Sequence, residues 1–520
     1  MVDEAVIKIP SGEVLEDDEA AEPTISLPDS GDAGEGGKLS MIVQLVKKCL
    51  GVKDIAAMRL SLPASLLEPL PNLEYWHYLD RPDLFAAIND SNDPFERILA
   101  VVRFIFTKDL KFVHGKVCKP YNSVLGEHFR GHWDIPPVSY SSDPTQPPIL
   151  RVHTTVSPPP AVSETISVKS NRSGKSSKST RSGLSLTSKG KTSPSTAPTS
   201  LGDAGLSNLS LSPVHGRTED SHIRVVYVTE QVSHHPPVSA YYASCPSRGM
   251  EMAGIDQISA KVSGTAVRVA PGSFNKGIYI NLTSGPGKGE KYHITHPVAN
   301  VNGILRGSFY ITVGDSTIVT CSGGKGGVSY RAVIEYKEES WLGRAHFLVD
   351  GVIHTYDEES TEHEEWTKVK HVPTARVIAV FDGCWRNHIR WRRTAASPSA
   401  ASSSPSLSET EYATLVDLST LFVVPKKVRP LERQLPNESR KLWDAVTTRL
   451  LAKEYGEATK AKLAIEQKQR DEAGERKRKG VQFIPQYFEQ DITSGIPVLT
   501  AAGRQAVEEE LKECSEASSS

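Results

Sequence analysis

The sequence predicts a mainly β fold with helices flanking it, and three observations carry that expectation. Between Ile223 and about Trp391 a series of short stretches is rich in β-branched and aromatic residues, with Gly, Asn or Asp between them. No helical periodicity interrupts the series, so the strands should follow one another as an antiparallel meander, a sandwich or a barrel. Helical spacing appears only before and after this region.

The helical patterns before the strands come in two pieces. In SMIVQLVKKCLG, Ile42, Leu45, Val46 and Cys49 recur at helical spacing, Lys47 and Lys48 lie off the stripe, and Gly51 is a stop. A second helix is expected over Asp93–Thr107, with an acidic start and Pro94 in its first turn. The strand series then runs through IRVVYVTE, ISAKVSGTAVRVA, GIYINLTS, ILRGSFYITVG, STIVTCS, VSYRAVIEYK, GRAHFLVDGVIHTY and RVIAVFDGCW. Within it, Ile278, Ile280 and Leu282 share one face, with Tyr279 and Asn281 on the other. After Leu435 the pattern turns helical over about 437–479. Asn437 is an expected N-cap, Leu442, Val446 and Leu450 form a stripe, and Gly456 is an expected break.

Several segments read as unfolded. Residues 1–37 are acidic, Gly-rich and free of aromatics, and form an expected disordered tail. Ser141–Ser221 contains no Phe, Trp or Tyr, and its centre sets Lys and Arg among Ser, so it reads as a disordered insertion. A smaller one is expected at about 394–408, and residues 491–520 read as a C-terminal tail. Subtracting these leaves one large folded unit over 38–490. Hydrophobic content of 38%, below the roughly 45–50% of an average globular domain, agrees with such unfolded parts.

Composition excludes several functions. In 520 residues, Lys+Arg 60 against Asp+Glu 62 gives a formal net charge of −2, so no global charge drives binding to nucleic acid. The cysteines (Cys49, Cys118, Cys245, Cys321, Cys384, Cys514) form no CxxC pair, which argues against a disulfide framework or a zinc ribbon and fits a reducing compartment. The acidic N-terminus is no signal or transit peptide, and no apolar run approaches the roughly 20 residues of a membrane span. A soluble, cytoplasmic protein without cofactor or metal is expected.

Three constellations suggest binding chemistry. His234 and His235 stand together in TEQVSHHPPVSA. Adjacent strand residues point to opposite faces, which disfavours a shared metal. Two unrelated surface histidines are one reading. The other is a loop stiffened by Pro236 and Pro237 that presents two imidazoles to a phosphate monoester, whose second pKa overlaps theirs. KPYNSVLGEHF, at Lys119–Phe129, is either an ordinary loop or a site in which Lys119 supplies charge and Asn122 an amide donor. Lys462, Glu466 and Arg470 share a helical face, either as a solvated ladder or at the mouth of a site.

Other motifs carry less. GPGKGE and SGGKGG open no helix and read as hairpin tips, and HITH at His293–His296 lies among strands. The run Arg476–Lys479 reads as a helix C-terminal charge cluster or an anionic-membrane contact rather than a nuclear address.

The run Glu230–Pro237, EQVSHHPP, is the fingerprint of the oxysterol-binding protein family, matched here without a gap. In the same order the family has a Lys-Pro-x-Asn-Pro-x-Leu-Gly-Glu loop and a late helix with Lys-x3-Glu-x3-Arg. Here these correspond to Lys119–Glu127, with Ser123 in place of the usual proline, and to Lys462, Glu466 and Arg470. The resemblance extends from about Leu39 to Phe488.

That resemblance implies a large, incomplete antiparallel β-barrel around a tunnel for one lipid, closed by an N-terminal lid. Carried over by position, Lys119, Asn122, His234 and His235 would hold the headgroup of phosphatidylinositol 4-phosphate, with Lys462, Glu466 and Arg470 at the entrance. The lid would span about 39–58 and present Ile42, Leu45, Val46 and Cys49. The implied function is lipid transfer, exchanging phosphatidylinositol 4-phosphate for a sterol or phosphatidylserine between anionic membrane surfaces. The implied place is peripheral, at endoplasmic reticulum, Golgi or plasma membrane contact sites. A lipid leaving a bilayer exposes methylenes at about 0.8 kcal/mol each, so a carrier needs a dry cavity but no nucleophile. A sensor or scaffold that binds without transporting is the alternative. A phosphatase is disfavoured, since neither a Cys-x5-Arg loop nor a paired-carboxylate metal site accompanies the histidines.

Overall fold

The architecture was obtained as a computed structural model. It describes residues 25–26, 35–56, 60–62, 64–114, 118–156, 209–213, 222–304, 309–324, 329–339, 345–394 and 411–513. The expected N-terminal tail lies almost wholly outside the described residues, as do the centre of the expected insertion at 141–221 and nearly all of that at 394–408.

The strand series is present, and its hydrogen bonding makes two sheets. In chain order the strands are β1 (His128–Ile135), β2 (Ile223–Ser233), β3 (Val238–Cys245), β4 (Met250–Asp256), β5 (Ile258–Ser263), β6 (Ala266–Pro271), β7 (Ile278–Leu282) and β8 (Lys291–Ile294). They continue as β9 (Val298–Asn302), β10 (Tyr310–Gly314), β11 (Ser316–Ser322), β12 (Ser329–Tyr336), β13 (Leu348–Tyr356), β14 (Val377–Cys384), β15 (His388–Arg393) and β16 (Ala413–Asp417). Among the described residues a 12-stranded sheet runs β16-β15-β14-β13-β12-β11-β8-β7-β4-β3-β2-β1. Each neighbouring pair is antiparallel.

The meander is interrupted twice. β5–β6 leaves between β4 and β7, and β9–β10 leaves between β8 and β11. These two hairpins pair with each other through β6 and β9 in a separate 4-stranded sheet. The large sheet does not close on itself. Its β1 edge is instead covered by the chain that follows β16. His132 and Lys427 exchange backbone hydrogen bonds of 3.0 and 2.7 Å, and the Trp133 indole donates to the Val424 carbonyl at 3.0 Å. An incomplete barrel is the result.

The helices are α1 (Glu35–Lys48), α2 (Pro94–Thr107), α3 (Asp444–Leu451), α4 (Tyr455–Lys479) and α5 (Ala501–Lys512), with shorter turns between them. Helix α2 starts where the sequence indicated: the Asp93 side chain caps it by accepting from the Phe95 amide at 2.9 Å, and Pro94 follows. Its apolar residues join Ile278, Ile280, Leu282 and Phe381 in the main core. Alternation along β2 sends Val225 and Tyr227 into that core, while Val226 and Val228 point to the other face.

Three expectations require correction. Residues 491–520 are not simply a tail, because α5 buries Ala506 and Val507 against Val226 and Val228. Thr500 caps it, and a Cβ at Gly503 would stand 2.1 Å from the Tyr487 carbonyl, so only glycine allows that approach. Asn437 caps no helix, and the break before α4 falls at Lys453, not Gly456, which lies inside α4. Lys453 takes a left-handed φ of 61°. Its amide bonds to the Leu450 carbonyl, and the Glu454 amide to that of Arg449, the paired bonds that usually recruit glycine. Finally, the flanks of the expected insertion are ordered: Val152–Val156 pairs with Leu209–Pro213, and Val152 is buried in the main core.

Helix α1 begins earlier than the expected lid. Met41 is buried on it and Cys49 is buried just beyond its end, while Ile42, Leu45 and Val46 are half-buried. The chain after it is pinned to an edge strand. The Ile55 amide donates to the Ala260 carbonyl at 2.6 Å, and the Ala260 amide to Asp54 Oδ1 at 2.8 Å.

Candidate functional site

The loop Lys119–Glu127 and the turn at His234–His235 are brought together by a short extension of the β1–β2 ladder. The Gly126 amide donates to the Gln231 carbonyl at 3.0 Å, and the Gln231 amide returns a bond to the Glu127 carbonyl at 2.8 Å. Gly126 holds φ at +76°, a turn natural to glycine, which lets the loop enter the strand. Asn122 lies four residues before Gly126 and His234 three residues after Gln231, so loop and turn leave the same end of this antiparallel ladder.

Within the fingerprint the residues divide by role. The Glu230 carboxylate is buried and accepts the backbone amides of Gln486 and Tyr487, each at 2.7 Å. Burial raises its pKa to about 7 against the opposing effect of those amides. The Gln231 side chain donates to the Ser233 carbonyl at 2.7 Å, and the Ser233 hydroxyl to the Pro236 carbonyl at 2.9 Å. The first half of the motif thus shapes the turn. His234 and His235 are half-buried on it, their rings 4.6 Å apart and nearly perpendicular.

The opposite loop is fixed by its apolar and acidic members. The ring of Tyr121 is buried 4.9 Å from that of Trp443, and Val124 packs on the cluster that holds Ala458, Ala461 and Ile465 of α4. Glu127, also buried, accepts from the Val124 amide at 3.0 Å, the Ser439 hydroxyl at 2.6 Å and the Trp443 indole at 3.0 Å. Burial raises its pKa to about 7 despite these donors. Anchors of this kind do the work expected of the proline that Ser123 replaces.

Lys119 and Asn122 themselves stay exposed, joined by a 2.7 Å bond from Nζ to Oδ1. Desolvation by surrounding atoms, then the ammonium of Lys462, lowers the Lys119 pKa to about 8. Because the residue keeps solvent contact, screening weakens this effect. The Lys462 ammonium contributes to the lowering after desolvation, so an anion beside Lys119 would favour its charged form. Lys462 is buried on α4 and bonds Glu466 at 2.5 Å. Arg470 lies about 12 Å further along the helix axis, where it donates to Gln467 at 2.9 Å. Lys119 thus lies near Asn122 and Lys462, the His234–His235 turn leaves the same end of the ladder on the neighbouring strand, and Arg470 stands two turns away.

Sequence reasoning singled out the polar tips but missed their supports. Glu127, Glu230, Ser439 and Trp443 carry no periodic signal. The one hint available was a pair of acids, Glu127 and Glu230, in otherwise apolar strand-like stretches. Among the described residues no cluster of His, Cys, Asp and Glu is arranged to hold a metal ion.

Comparison with known proteins agrees with this architecture. The oxysterol-binding protein family model matches residues 41–195 and 215–510. Oxysterol-binding protein-like protein 1 of Schizosaccharomyces pombe is 39% identical over 94% of this chain and 95% of its own length. Oxysterol-binding protein-related protein 11 of Homo sapiens is 28% identical over 86% of this chain and 48% of its own. The fold is similar to that of the Osh1 ORD domain solved with cholesterol, at a TM-score of 0.55 and 16% identity, covering 90% of this chain and 88% of that one. With the family model over most of its length and a close relative aligned nearly end to end, the chain belongs to the oxysterol-binding protein family.

Proposed function

We propose that the protein is a lipid carrier that exchanges phosphatidylinositol 4-phosphate for a sterol or phosphatidylserine between membranes. The observation that carries this reading is the meeting at one rim of the Lys119–Asn122 loop, the His234–His235 turn and Lys462. A phosphate monoester has the charge and acceptor geometry to take ammonium, amide and imidazole donors together, in charge-assisted bonds stronger than neutral ones. Further support comes from relatives: Osh ORD domains of similar fold were solved with cholesterol, with ergosterol and with PI(4)P. Glu466 holds Lys462 in place, and Arg470 extends positive charge outward from the mouth. Helix α1, with its half-buried Ile42, Leu45 and Val46 and the buried Cys49 that follows it, is the lid in this scheme.

The chemistry is binding and release. No bond is broken, so the histidines serve as hydrogen-bond donors and not as catalysts. The carrier works at the cytoplasmic surface of the membranes it serves, and no helix among the described residues is long and apolar enough to cross one.

Mass spectrometry of lipid co-purified with the full chain tests the reading, followed by transfer between donor and acceptor liposomes. Phosphatidylinositol 4-phosphate and one second lipid are expected, moving in opposite directions. Binding without transfer would favour a sensor or scaffold. Absence of both overturns the proposal.

A further inference from the structure

The segment that follows α4 has a surface that packing does not explain. Helix α4 ends in a paired-bond cap: the Gly480 amide donates to the Lys477 carbonyl at 3.2 Å, and the Val481 amide to that of Arg476 at 3.1 Å. In such caps the residue after the glycine usually folds an apolar side chain back onto the last turn. Here that turn is Arg476, Lys477, Arg478 and Lys479, and Val481 is 56% exposed. Three residues later Ile484, at 75%, is the most exposed large hydrophobic side chain among the described residues.

This exposure does not come from a loose loop. The Phe483 ring lies against Gly126, where a Cβ would stand 3.2 Å from it. Arg476 sits 5.9 Å from the centre of the same ring. Pro485 is buried, and Gln486 and Tyr487 donate their amides to Glu230. Ile484 is thus held out between two anchored neighbours. Both anchors belong to the candidate site: Gly126 follows Asn122 in the loop, and Glu230 precedes His234 in the fingerprint strand.

From this we infer that the rim formed by the end of α4 and Val481–Ile484 is the face that docks on a lipid bilayer. Val481 and Ile484 enter the boundary between headgroups and acyl chains, and the last turn of α4 lies on anionic headgroups. Fixed aliphatic residues beside a run of cations match that interface and no uniformly polar partner. Lys479 pairs with Glu475 at 2.6 Å, but both are exposed, so the pair opens at little cost. Docking there turns the mouth of the site toward the membrane, so that a lipid crosses without traversing water. The inference rests on the carrier reading, but its test does not need lipid transfer.

Full-length chain is sedimented with vesicles of phosphatidylcholine containing phosphatidylserine, and with phosphatidylcholine alone. Ile484→Asp should abolish sedimentation with the anionic vesicles, and Arg478→Gln with Lys479→Gln should weaken it about thirtyfold. Leu451→Asp, at an exposed leucine on α3, should change nothing. Ile484→Trp reads insertion directly: against the unsubstituted chain, its added emission should be quenched by acyl chains brominated near the headgroup. Unquenched emission, or wild-type sedimentation of Ile484→Asp, overturns the inference. So does a shift in that emission that follows protein concentration without vesicles, which would put a second copy on the face. Quenching in a chain that carries no lipid would uphold the docking face and refute the carrier.

Discussion

Trp443 and Glu127 are separated by 316 positions, yet the indole N–H donates to the Glu127 carboxylate at 3.0 Å in a fully buried contact. The same carboxylate accepts from Ser439 and from the Val124 amide, so one acid ties the Lys119 loop to the helices behind it. Glu127→Ala strands the buried Ser439 and Trp443 donors and the half-buried Val124 amide, at about 1–3 kcal/mol each, and should lower stability by more than about 3 kcal/mol. Glu127→Gln keeps an acceptor and should fall between. Urea unfolding measures both, and a wild-type midpoint for the alanine variant would refute the anchoring role.

Replacing His234 and His235 by alanine should leave the thermal midpoint nearly unchanged, because both side chains are half-buried on a turn shaped by Gln231 and Ser233. Each lost charge-assisted contact is worth about 1.5–3 kcal/mol, so phosphatidylinositol 4-phosphate extraction should drop more than tenfold. Sterol extraction should suffer less. Unaltered phosphoinositide extraction by a folded double variant would remove the histidines from the site.

Asp54 holds the chain after α1 to the edge strand β5 through the Ala260 amide. Asp54→Ala should loosen this tether by about 1–2 kcal/mol and speed lipid escape without unfolding the sheet. In the wild type, hydrogen exchange at Met41–Leu50 should be slow with lipid bound and fast in the empty protein. Equal protection in both states would make α1 a permanent core element.

Asp256 is half-buried and accepts from the Tyr78 hydroxyl at 2.6 Å, and desolvation raises its pKa from 3.8 to about 7. A carboxyl raised on folding stabilises the native state below the unfolded pKa, and that contribution is lost as pH rises through the folded value. Between pH 4 and 7 the wild type should therefore lose stability relative to Asp256→Asn, by up to about 4 kcal/mol. The asparagine keeps the acceptor for Tyr78 but does not titrate. Urea midpoints of both proteins at pH 5 and pH 7.5 provide the measurement. Parallel pH profiles would show that Asp256 does not titrate in this window.

What the sequence by itself determined was short-range: the alternation in Ile278, Ile280 and Leu282, the Asp93 cap with Pro94, and the fingerprint at Glu230–Pro237. These depend on a few neighbouring residues, so they are written where they act. Tertiary structure decided the rest. The break that the sequence put at Gly456 falls at Lys453, in a left-handed conformation, because the flanking helices α3 and α4 fix the turn between them. Helix α5 looked like tail until β2 offered Val226 and Val228 as a face to cover. The Lys119 loop and the strand before His234 are held by Glu127 and Glu230, which bond to Trp443 and to the Tyr487 amide across hundreds of residues. Such pairings are set by which buried donors and acceptors must satisfy one another once the core has formed, and no local pattern encodes that.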